Sequence, residues 1–169
     1  MNKPDIDKIH ELILEAPIGK YIGDRGARIF AEHACCVNEL KDGDFLFKKG
    51  ETTTSFYIVA EGRLALVKNK KKKKEEKPRI LHLLDEGDLV GELSFIDDTK
   101  HASTVIAIGD ARVLQFKAED IRPLILKEPQ VMFDFMRAVV KRVHHTVTSI
   151  SQQQLALSDY IATAGKGRL

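Results

Sequence analysis

Between residues 37 and 116 the sequence alternates short β-rich runs with turn dipeptides. The turns are Asp-Gly, Lys-Gly, Glu-Gly or Gly-Asp steps, and they separate runs such as FYIVA, RLALV, RILHLL, STVIAI and RVLQF. Short strands between closely spaced turns are typical of an antiparallel sandwich or barrel. We therefore predict a mainly β domain. Within it, we expect AEGR at 60–63 to form a tight hairpin between two strands.

Both ends of the chain carry helical patterns instead. Apolar residues recur at helical spacing over 5–16, and a second helical piece is expected around 27–33. After the β-rich region we predict a short helix at 118–127 and a longer one that begins near Pro129, because proline suits the first helical turn. The predicted organisation is an N-terminal helical segment at 1–36, a β domain at 37–117, helices at 118–162 and a tail at 163–169.

The last predicted helix contains apolar residues spaced alternately by four and three. They form a heptad seam with one polar member, Gln154: Met136, Val140, Val143, Val147, Ile150, Gln154, Leu157 and Ile161. A seam over nearly four heptads predicts a homodimer joined by a coiled coil, in which Gln154 sets the register. The alternative is a single amphipathic helix that folds back on the β domain.

Composition and charge exclude several classes of protein. The formal net charge is only +2, so the chain is not a polycation, and no apolar stretch is long enough to span a membrane. The two cysteines are the neighbours Cys35 and Cys36, which offer neither a disulfide framework nor metal-ligand spacing. The six histidines are scattered, and no nucleophile is paired with a base. We predict a cytoplasmic protein that holds no metal and is not an enzyme.

The segment KNKKKKKEEKP at 68–78 is the most biased part of the chain. Like charges repel, so it is predicted to be a solvated hairpin loop. The alternative is contact with an anionic surface, of membrane lipid or of nucleic acid. No aromatic side chain is interleaved to stack on bases, which weakens the nucleic-acid alternative.

A candidate ligand site lies in VGELSFIDDTKHASTVIAIG at 90–109. Gly91 lets the backbone approach a ligand, and the residues after it can begin a short helix whose free N–H groups face an anion. Glu92 adds a fixed acceptor beside those donors. Such a site suits a sugar phosphate, although the same step is equally compatible with a turn leading into a strand.

These motifs, in this order, resemble the cyclic nucleotide-binding domain family. That family's phosphate-binding cassette reads Gly-Glu-Leu-Ala-Leu-Ile, a few variable residues, then Pro-Arg-Ala-Ala-Thr-Val, and this chain has GELSFI at 91–96 and KHASTV at 100–105. The upstream stretch LKDGDFLFKKGETTTSFYIVAEGRLALV is similar to the family's Gly-Asp, Gly-Glu and Tyr-Ile-Val-x-Glu-Gly signposts. The resemblance implies an antiparallel β-roll of the jelly-roll kind, with a cassette at 90–105. N-terminal helices and a long C-terminal helix would flank it, as in the catabolite activator group.

The resemblance also implies roles for individual residues. Glu92 would accept a hydrogen bond from the ribose 2′-hydroxyl, and Thr146 on the long helix would reach the base. Alternatively, Thr146 is only a polar residue beside the heptad seam. The cyclic phosphate would be held by backbone N–H groups of Leu93, Ser94, Ala102 and Ser103, with Gly91 allowing the close approach. The chain departs from the pattern at the phosphate-binding arginine, which is His101 here, and at the preceding proline, which is Lys100.

The expected function is therefore a regulatory sensor of cyclic AMP. Cyclic GMP is less favoured, because members of the family that prefer it often have Thr or Ser directly after the arginine, where this chain has Ala102. An imidazole forms one hydrogen bond in a given direction where a guanidinium forms two, so binding should be weaker by roughly ten- to hundredfold. Alternatively, the cassette no longer binds nucleotide and the chain is a dimeric protein-interaction scaffold. An unidentified protein effector is expected. Direct DNA binding is not, because the sequence after the long helix is too short for a helix-turn-helix domain.

Overall fold

A computed structural model describes the backbone of residues 5–68 and 79–164, with only some of the side chains beyond residue 145. It confirms a mainly β domain between helices. The elements in chain order are α1 (Ile6–Glu15), α2 (Gly19–Glu32), β1 (Cys36–Leu40), β2 (Phe45–Phe47), β3 (Ser55–Lys68), β4 (Arg79–Leu84), β5 (Leu89–Val90), α3 (Glu92–Asp97), β6 (Thr104–Lys117), α4 (Ala118–Ile121), α5 (Leu124–Lys127) and α6 (Pro129–Ala164).

The strands form one antiparallel sheet with the order β1-β6-β3-β4. Strand β2 pairs with β6, and β5 pairs with β3. The two long strands, β3 and β6, pair along almost their whole length, from Ser55 opposite Lys117 to Val67 opposite Thr104. This long ribbon carries every other strand of the described sheet and so determines where the cassette between β5 and β6 lies.

The hairpin predicted at 60–63 is wrong. Strand β3 runs through these residues, and Gly62 has a φ of 78° beside two shifts of register against β6. A Cβ at Gly62 would lie 2.4 Å from the carbonyl oxygen of Asp110, so only glycine fits this bulge. Gly109 in β6 also has a positive φ, 73°. A glycine with a positive φ suits a bulge as well as a hairpin turn. Here the residues of β3 before and after Gly62 both pair with β6, so the chain bends without reversing.

The helical predictions agree with the structure in type and differ in extent. Helix α1 occupies the segment predicted at 5–16, and the Asp5 carboxylate accepts a hydrogen bond from the N–H of Lys8. Helix α2 begins at Gly19, well before the predicted 27–33, and is interrupted at Gly23. The helix predicted at 118–127 is two short helices, α4 and α5. The long helix begins at Pro129 as predicted.

Two apolar cores lie on opposite faces of the ribbon. Four aromatic rings pack where helices α2 and α6 cover the sheet, with centroids 4.9–6.3 Å apart: Phe30, Phe56, Phe116 and Phe135. The second core fills the inside of the roll and includes Phe47, Tyr57, Val59, Leu64 and Val105. Successive strand residues point to opposite faces, so Phe56 joins the helical core and Tyr57 the inner one.

The seam predicted on α6 divides between two environments. Met136 and Val143 are partly buried against the helical core, whereas Val140 and Val147 are 66% and 56% exposed. The side chains of the remaining four seam residues lie outside the described part of α6. Homodimerisation therefore remains a prediction. The lysine run from residue 69 to 78 and the tail from residue 165 also lie outside the described residues. In the described chain, no helix is long and apolar enough to cross a membrane.

Candidate functional site

The cassette is a short helix between two strands. Strand β5 ends at Val90, and Gly91, with a φ of 79°, turns the chain into α3. A Cβ at Gly91 would meet His101 Cε1 and Phe47 Cε1 at 3.4 Å each, which is tight contact. The chain leaves α3 through Asp98, which has a positive φ of 55° although it is not a glycine, and joins β6 at Thr104. Phe95 of α3 packs against Phe56 in the helical core, whereas His101 stacks on Phe47 of the inner core.

Glu92 is the buried acid of the site. It is the first residue of α3, and its side chain is almost fully removed from solvent. Burial raises the pKa of its carboxyl above the ordinary value near 4.5, although the positive charge of Arg142 opposes this shift. A guanidinium nitrogen of Arg142 lies 3.8 Å from Glu92 Oε1 and donates a hydrogen bond to the carbonyl oxygen of Leu89. The long helix α6 is thereby joined electrostatically to the cassette.

His101 is held on three sides. Its Nε2 lies 2.8 Å from Thr53 Oγ1, its Nδ1 lies 3.1 Å from Ser94 Oγ, and its ring stacks on Phe47 with centroids 3.6 Å apart. Thr53 Oγ1 donates to the carbonyl oxygen of Ser55, so it accepts from Nε2–H, and Nδ1 accepts from the Ser94 hydroxyl. This pattern fits a neutral imidazole. Desolvation by burial lowers the pKa of His101, and the nearby carboxylate of Glu51 only partly opposes the shift.

The buried His101 should make the stability of the domain depend on pH. A histidine whose pKa is lower in the folded than in the unfolded chain stabilises the fold when neutral, and this contribution is lost as the pH falls below about 6.5. We expect the free energy of unfolding, measured by urea titration, to decrease through this range. The decrease should be smaller in His101→Gln. The exposed His144 provides a control, His144→Gln, which should keep the wild-type slope. Equal slopes in all three proteins would contradict the prediction.

The structure brings only some of the predicted site residues together. Gly91, Ser94 and His101 lie together, whereas the side chain of Glu92 is paired with Arg142. The side chains of Leu93, Lys100 and Ala102 are exposed and that of Ser103 is half-buried, so their predicted roles rest on backbone groups or on charge. The side chain of Thr146 lies outside the described residues. Its place on α6 is one turn beyond Arg142.

The sequence analysis did not identify the residues that contact His101 and Glu92. Thr53 and Phe47 contact His101 from the β2–β3 region, about fifty residues away along the chain. Arg142, on the same predicted helix as Thr146, was given no role in the sequence analysis. Its positive charge on a helix following the cassette was a usable signal for a partner of Glu92. Nothing comparable in the sequence identifies Thr53 within the run of three threonines.

A cavity of about 350 Å³ is lined by Arg142 and Leu89 but not by Glu92 or His101. It lies between the start of α2, the β4–β5 turn and α6, and its lining includes Tyr21, His82, Asp88, Arg142 and His145. Arg142, the partner of Glu92, is the residue that connects this cavity to the cassette. Within residues 5–68 and 79–164, no cluster of three or more histidine, cysteine or acidic side chains is arranged to hold a metal ion.

Comparison with known proteins agrees with this geometry. The sequence model of the cyclic nucleotide-binding domain matches residues 37–128, which is more than half of the chain. The chain belongs to the cyclic nucleotide-binding domain family. It is a regulatory domain of that family, and the match spans the whole roll together with the cassette.

Two curated relatives match this chain over part of their own length. Lysophospholipase NTE1 of Cryptococcus neoformans var. neoformans serotype D is 30% identical over 109 residues, which are 64% of this chain and 6% of that protein. The cyclic AMP receptor protein of Thermus thermophilus is 29% identical over 101 residues, 60% of this chain and 45% of that one. The chain thus spans less than half of these curated relatives. The lysophospholipase match does not bear on whether this chain has an activity.

Solved structures show the same fold. The catabolite activator protein of Thermus thermophilus superposes with a TM-score of 0.65 and 21% identity, covering 82% of this chain and 63% of that one. The regulatory domain of Toxoplasma gondii PKA, crystallised with cAMP, gives a TM-score of 0.67 and 20% identity, covering 83% and 50%. These similarities confirm the predicted β-roll with flanking helices.

Proposed function

We propose that this domain senses cyclic AMP. The observation that carries the proposal is the buried Glu92 at the first position of α3, paired with Arg142 of α6. A carboxylate kept from water is a strong acceptor for a ribose 2′-hydroxyl, because no solvent competes for it. A nucleotide that binds Glu92 also alters the contact between the cassette and the long helix. Such a differential contact is what transmission of a signal requires.

The cyclic phosphate would lie against the backbone N–H groups of Leu93, Ser94, Ala102 and Ser103. His101 contacts it only if its bond with Ser94 is broken. Once released, the Ser94 hydroxyl is a further donor to the phosphate, and a protonated imidazole supplies charge. Lys100 adds a point charge without the fork geometry of arginine. Because the pKa of the free His101 is lowered, phosphate binding to its charged form requires proton uptake.

The base would occupy the space beside Arg142, where Thr146 is the expected contact from α6. Ala102, in place of a hydroxyl-bearing residue, favours cyclic AMP over cyclic GMP. The Toxoplasma structure with cAMP and the Thermus cyclic AMP receptor protein, both similar to this chain, support the same choice of ligand.

Titration calorimetry of the purified chain tests the proposal. We expect saturable heat with cyclic AMP, a weaker response with cyclic GMP and none with linear 5′-AMP. Cyclic AMP affinity should strengthen from about pH 8 to 6, with proton uptake visible as a difference between buffers of unlike ionisation enthalpy. An affinity that is constant over this range would contradict the role of His101. If neither cyclic AMP nor cyclic GMP gives heat of binding, the proposal itself is contradicted.

The second candidate is a dimeric scaffold that binds an effector protein and no nucleotide. It is favoured by the neutral His101, whose two nitrogens are already satisfied within the protein. Both candidates include a homodimer joined by α6. In either case the effector remains to be identified, and an anionic surface is a candidate partner of the lysine run.

Val147→Glu should abolish the dimer. Val147 is exposed on the described helix, and the heptad spacing places it at the same seam position as Val140. A pair of carboxylates facing each other in an apolar seam is strongly unfavourable. Sedimentation velocity should show a dimer for wild type and a monomer for Val147→Glu. Leu155 is similarly exposed but lies off the seam, so Leu155→Glu should remain dimeric. Equal masses in the three proteins would contradict the coiled coil.

A further inference from the structure

Cys35 and Cys36 are the two cysteines of the chain, and they lie at one edge of the sheet. Cys36 begins β1, which is the outer strand in the order β1-β6-β3-β4. Cys35 precedes the strand, and its N–H donates to the carbonyl oxygen of Gln115 in β6. Both cysteines are free and half-buried, so they retain contact with solvent.

The two thiols contact each other and one cation. Burial and a hydrogen bond with the Cys35 thiol raise the pKa of the Cys36 thiol, and the charge of Lys117 only partly opposes the shift. Attraction to the Cys35 sulfur is the main reason why the pKa of Lys117 is raised. The Lys117 ammonium also lies 3.6 Å from Glu119 Oε1. Because the Cys36 thiol resists ionisation, Cys35 is the nucleophile of the pair and Lys117 is its counter-ion.

The adjacency of the two cysteines limits what they can bind together. A disulfide suits Cα atoms about 4.4–6.8 Å apart, whereas neighbouring Cα atoms are about 3.8 Å apart. A structural zinc ion takes four protein ligands. Among residues 5–68 and 79–164, no group of three or more histidine, cysteine or acidic side chains is placed to hold a metal ion. The pair therefore suits a thiophilic centre that takes only two sulfurs from the protein and brings its own remaining substituent.

A series of hydrogen bonds leads from this pair to the cassette. The Cys36 thiol donates to Gln115 Oε1 at 3.2 Å, and Gln115 Nε2 donates to Ser55 Oγ at 3.0 Å. The carbonyl oxygen of Ser55 accepts from Thr53 Oγ1, which contacts His101 Nε2. Ser55 and His101 are both buried, so water does not compete for these bonds. The cysteines are thus connected to the residue at the phosphate-binding position of the family pattern.

We propose that Cys35 and Cys36 form a dithiol site for a trivalent organoarsenical, and that the hydrogen bonds through Gln115 transmit its occupation to His101. An arsenic atom that carries one organic group and two hydroxyls exchanges both hydroxyls for sulfur. Two As–S bonds form and two As–O bonds break. The two thiol protons leave in two molecules of water, and the oxidation state of arsenic does not change. The proposal does not depend on nucleotide binding.

Arsenic binding removes a donor from the hydrogen-bond series. Gln115 Oε1 loses the Cys36 thiol proton and keeps the N–H of Asn38, 3.3 Å away, as a donor. The Cys36 sulfur also moves toward the arsenic atom. The Gln115 amide is then held differently against Ser55, and through Thr53 the surroundings of the His101 ring change.

Native mass spectrometry with phenylarsine oxide tests the dithiol site. Wild type should bind one arsenical per chain with loss of both thiol protons, and excess 2-mercaptoethanol should not remove it. Cys35→Ser and Cys36→Ser each keep a single thiol and should bind at least roughly a hundredfold more weakly, because chelation is lost. Lys117→Gln should slow adduct formation, whereas Lys127→Gln, on α5, should not. Two arsenicals on one wild-type chain, equal binding by the single-thiol variants or no adduct at all would overturn the proposal.

Magnetic resonance of the histidine ring nitrogens tests the transmission to His101. In wild type, phenylarsine oxide should shift the His101 resonances and leave those of the exposed His144 on α6 unchanged. The spectrum of His101→Gln assigns the signals. Cys36→Ser is the matched control, because its hydroxyl still donates to Gln115 and the arsenical should leave its His101 resonances in place. Unchanged His101 resonances in wild type that carries the arsenical, or equal shifts at His144, would overturn the proposal.

Discussion

Glu92→Gln should weaken cyclic AMP binding by roughly ten- to hundredfold. The substitution keeps the size of the side chain but replaces a charged acceptor by a neutral one, and hydrogen bonds to charged groups contribute about 1.5–3 kcal/mol. It also removes the attraction between residue 92 and Arg142, so the cassette loses its electrostatic connection to α6. Titration calorimetry measures the affinity, and Glu119→Gln, an exposed carboxyl on α4, is the control that should bind as wild type.

Glu92→Gln should not reduce the stability of the unliganded domain. Because burial raises the pKa of Glu92, the wild-type domain should lose stability as the pH rises above about 4.5, where the unfolded chain ionises more readily than the folded one. Glutamine has no such dependence, so the advantage of Glu92→Gln in urea unfolding should grow toward neutral pH. A variant with unchanged affinity would show that Glu92 is not at the ligand, whatever its effect on stability.

His101→Arg should strengthen cyclic AMP binding by roughly ten- to hundredfold. A guanidinium makes two parallel, permanently charged hydrogen bonds with phosphate oxygens, whereas the imidazole must first gain a proton and leave Ser94. The pH dependence of affinity that involves His101 should disappear in the variant. Calorimetry at pH 6 and 8, with wild type in parallel, measures both effects.

In the unliganded protein, arginine at position 101 should lower the stability of the domain. The site of residue 101 is buried, lined by Phe47, Thr53 and Ser94, and suits a neutral ring. The unliganded His101→Arg domain should therefore melt at a lower temperature than wild type, and cyclic AMP should raise its melting temperature by more. Lys100→Arg adds a guanidinium one residue away and controls for charge alone. If neither wild type nor His101→Arg binds nucleotide, the scaffold is the better account of this domain.

Much of the fold was predictable because its signals are local. Asp5 and Pro129 indicate helix starts through capping and a fixed backbone angle, which need no tertiary partner. The Gly91-Glu92 step alone was equally compatible with a turn leading into a strand, and the resemblance to the family identified it as the start of the cassette. The hairpin wrongly expected at Gly62 shows the limit. A glycine permits a left-handed conformation, but the strand opposite decides whether the chain reverses or only bends.

The sequence by itself determined a mainly β domain between helical ends, because turn residues and hydrophobic period act over a few residues. The family and the position of the cassette followed from the resemblance of its motifs. The sequence also showed that a histidine, His101, stands where the family pattern has its phosphate-binding arginine. Only the tertiary structure decided what that histidine does in the free protein. Thr53 and Phe47 reach His101 from a distant strand region, and burial among them favours the neutral ring, because the loss of hydration outweighs the attraction of the nearby Glu51 carboxylate for a charged ring.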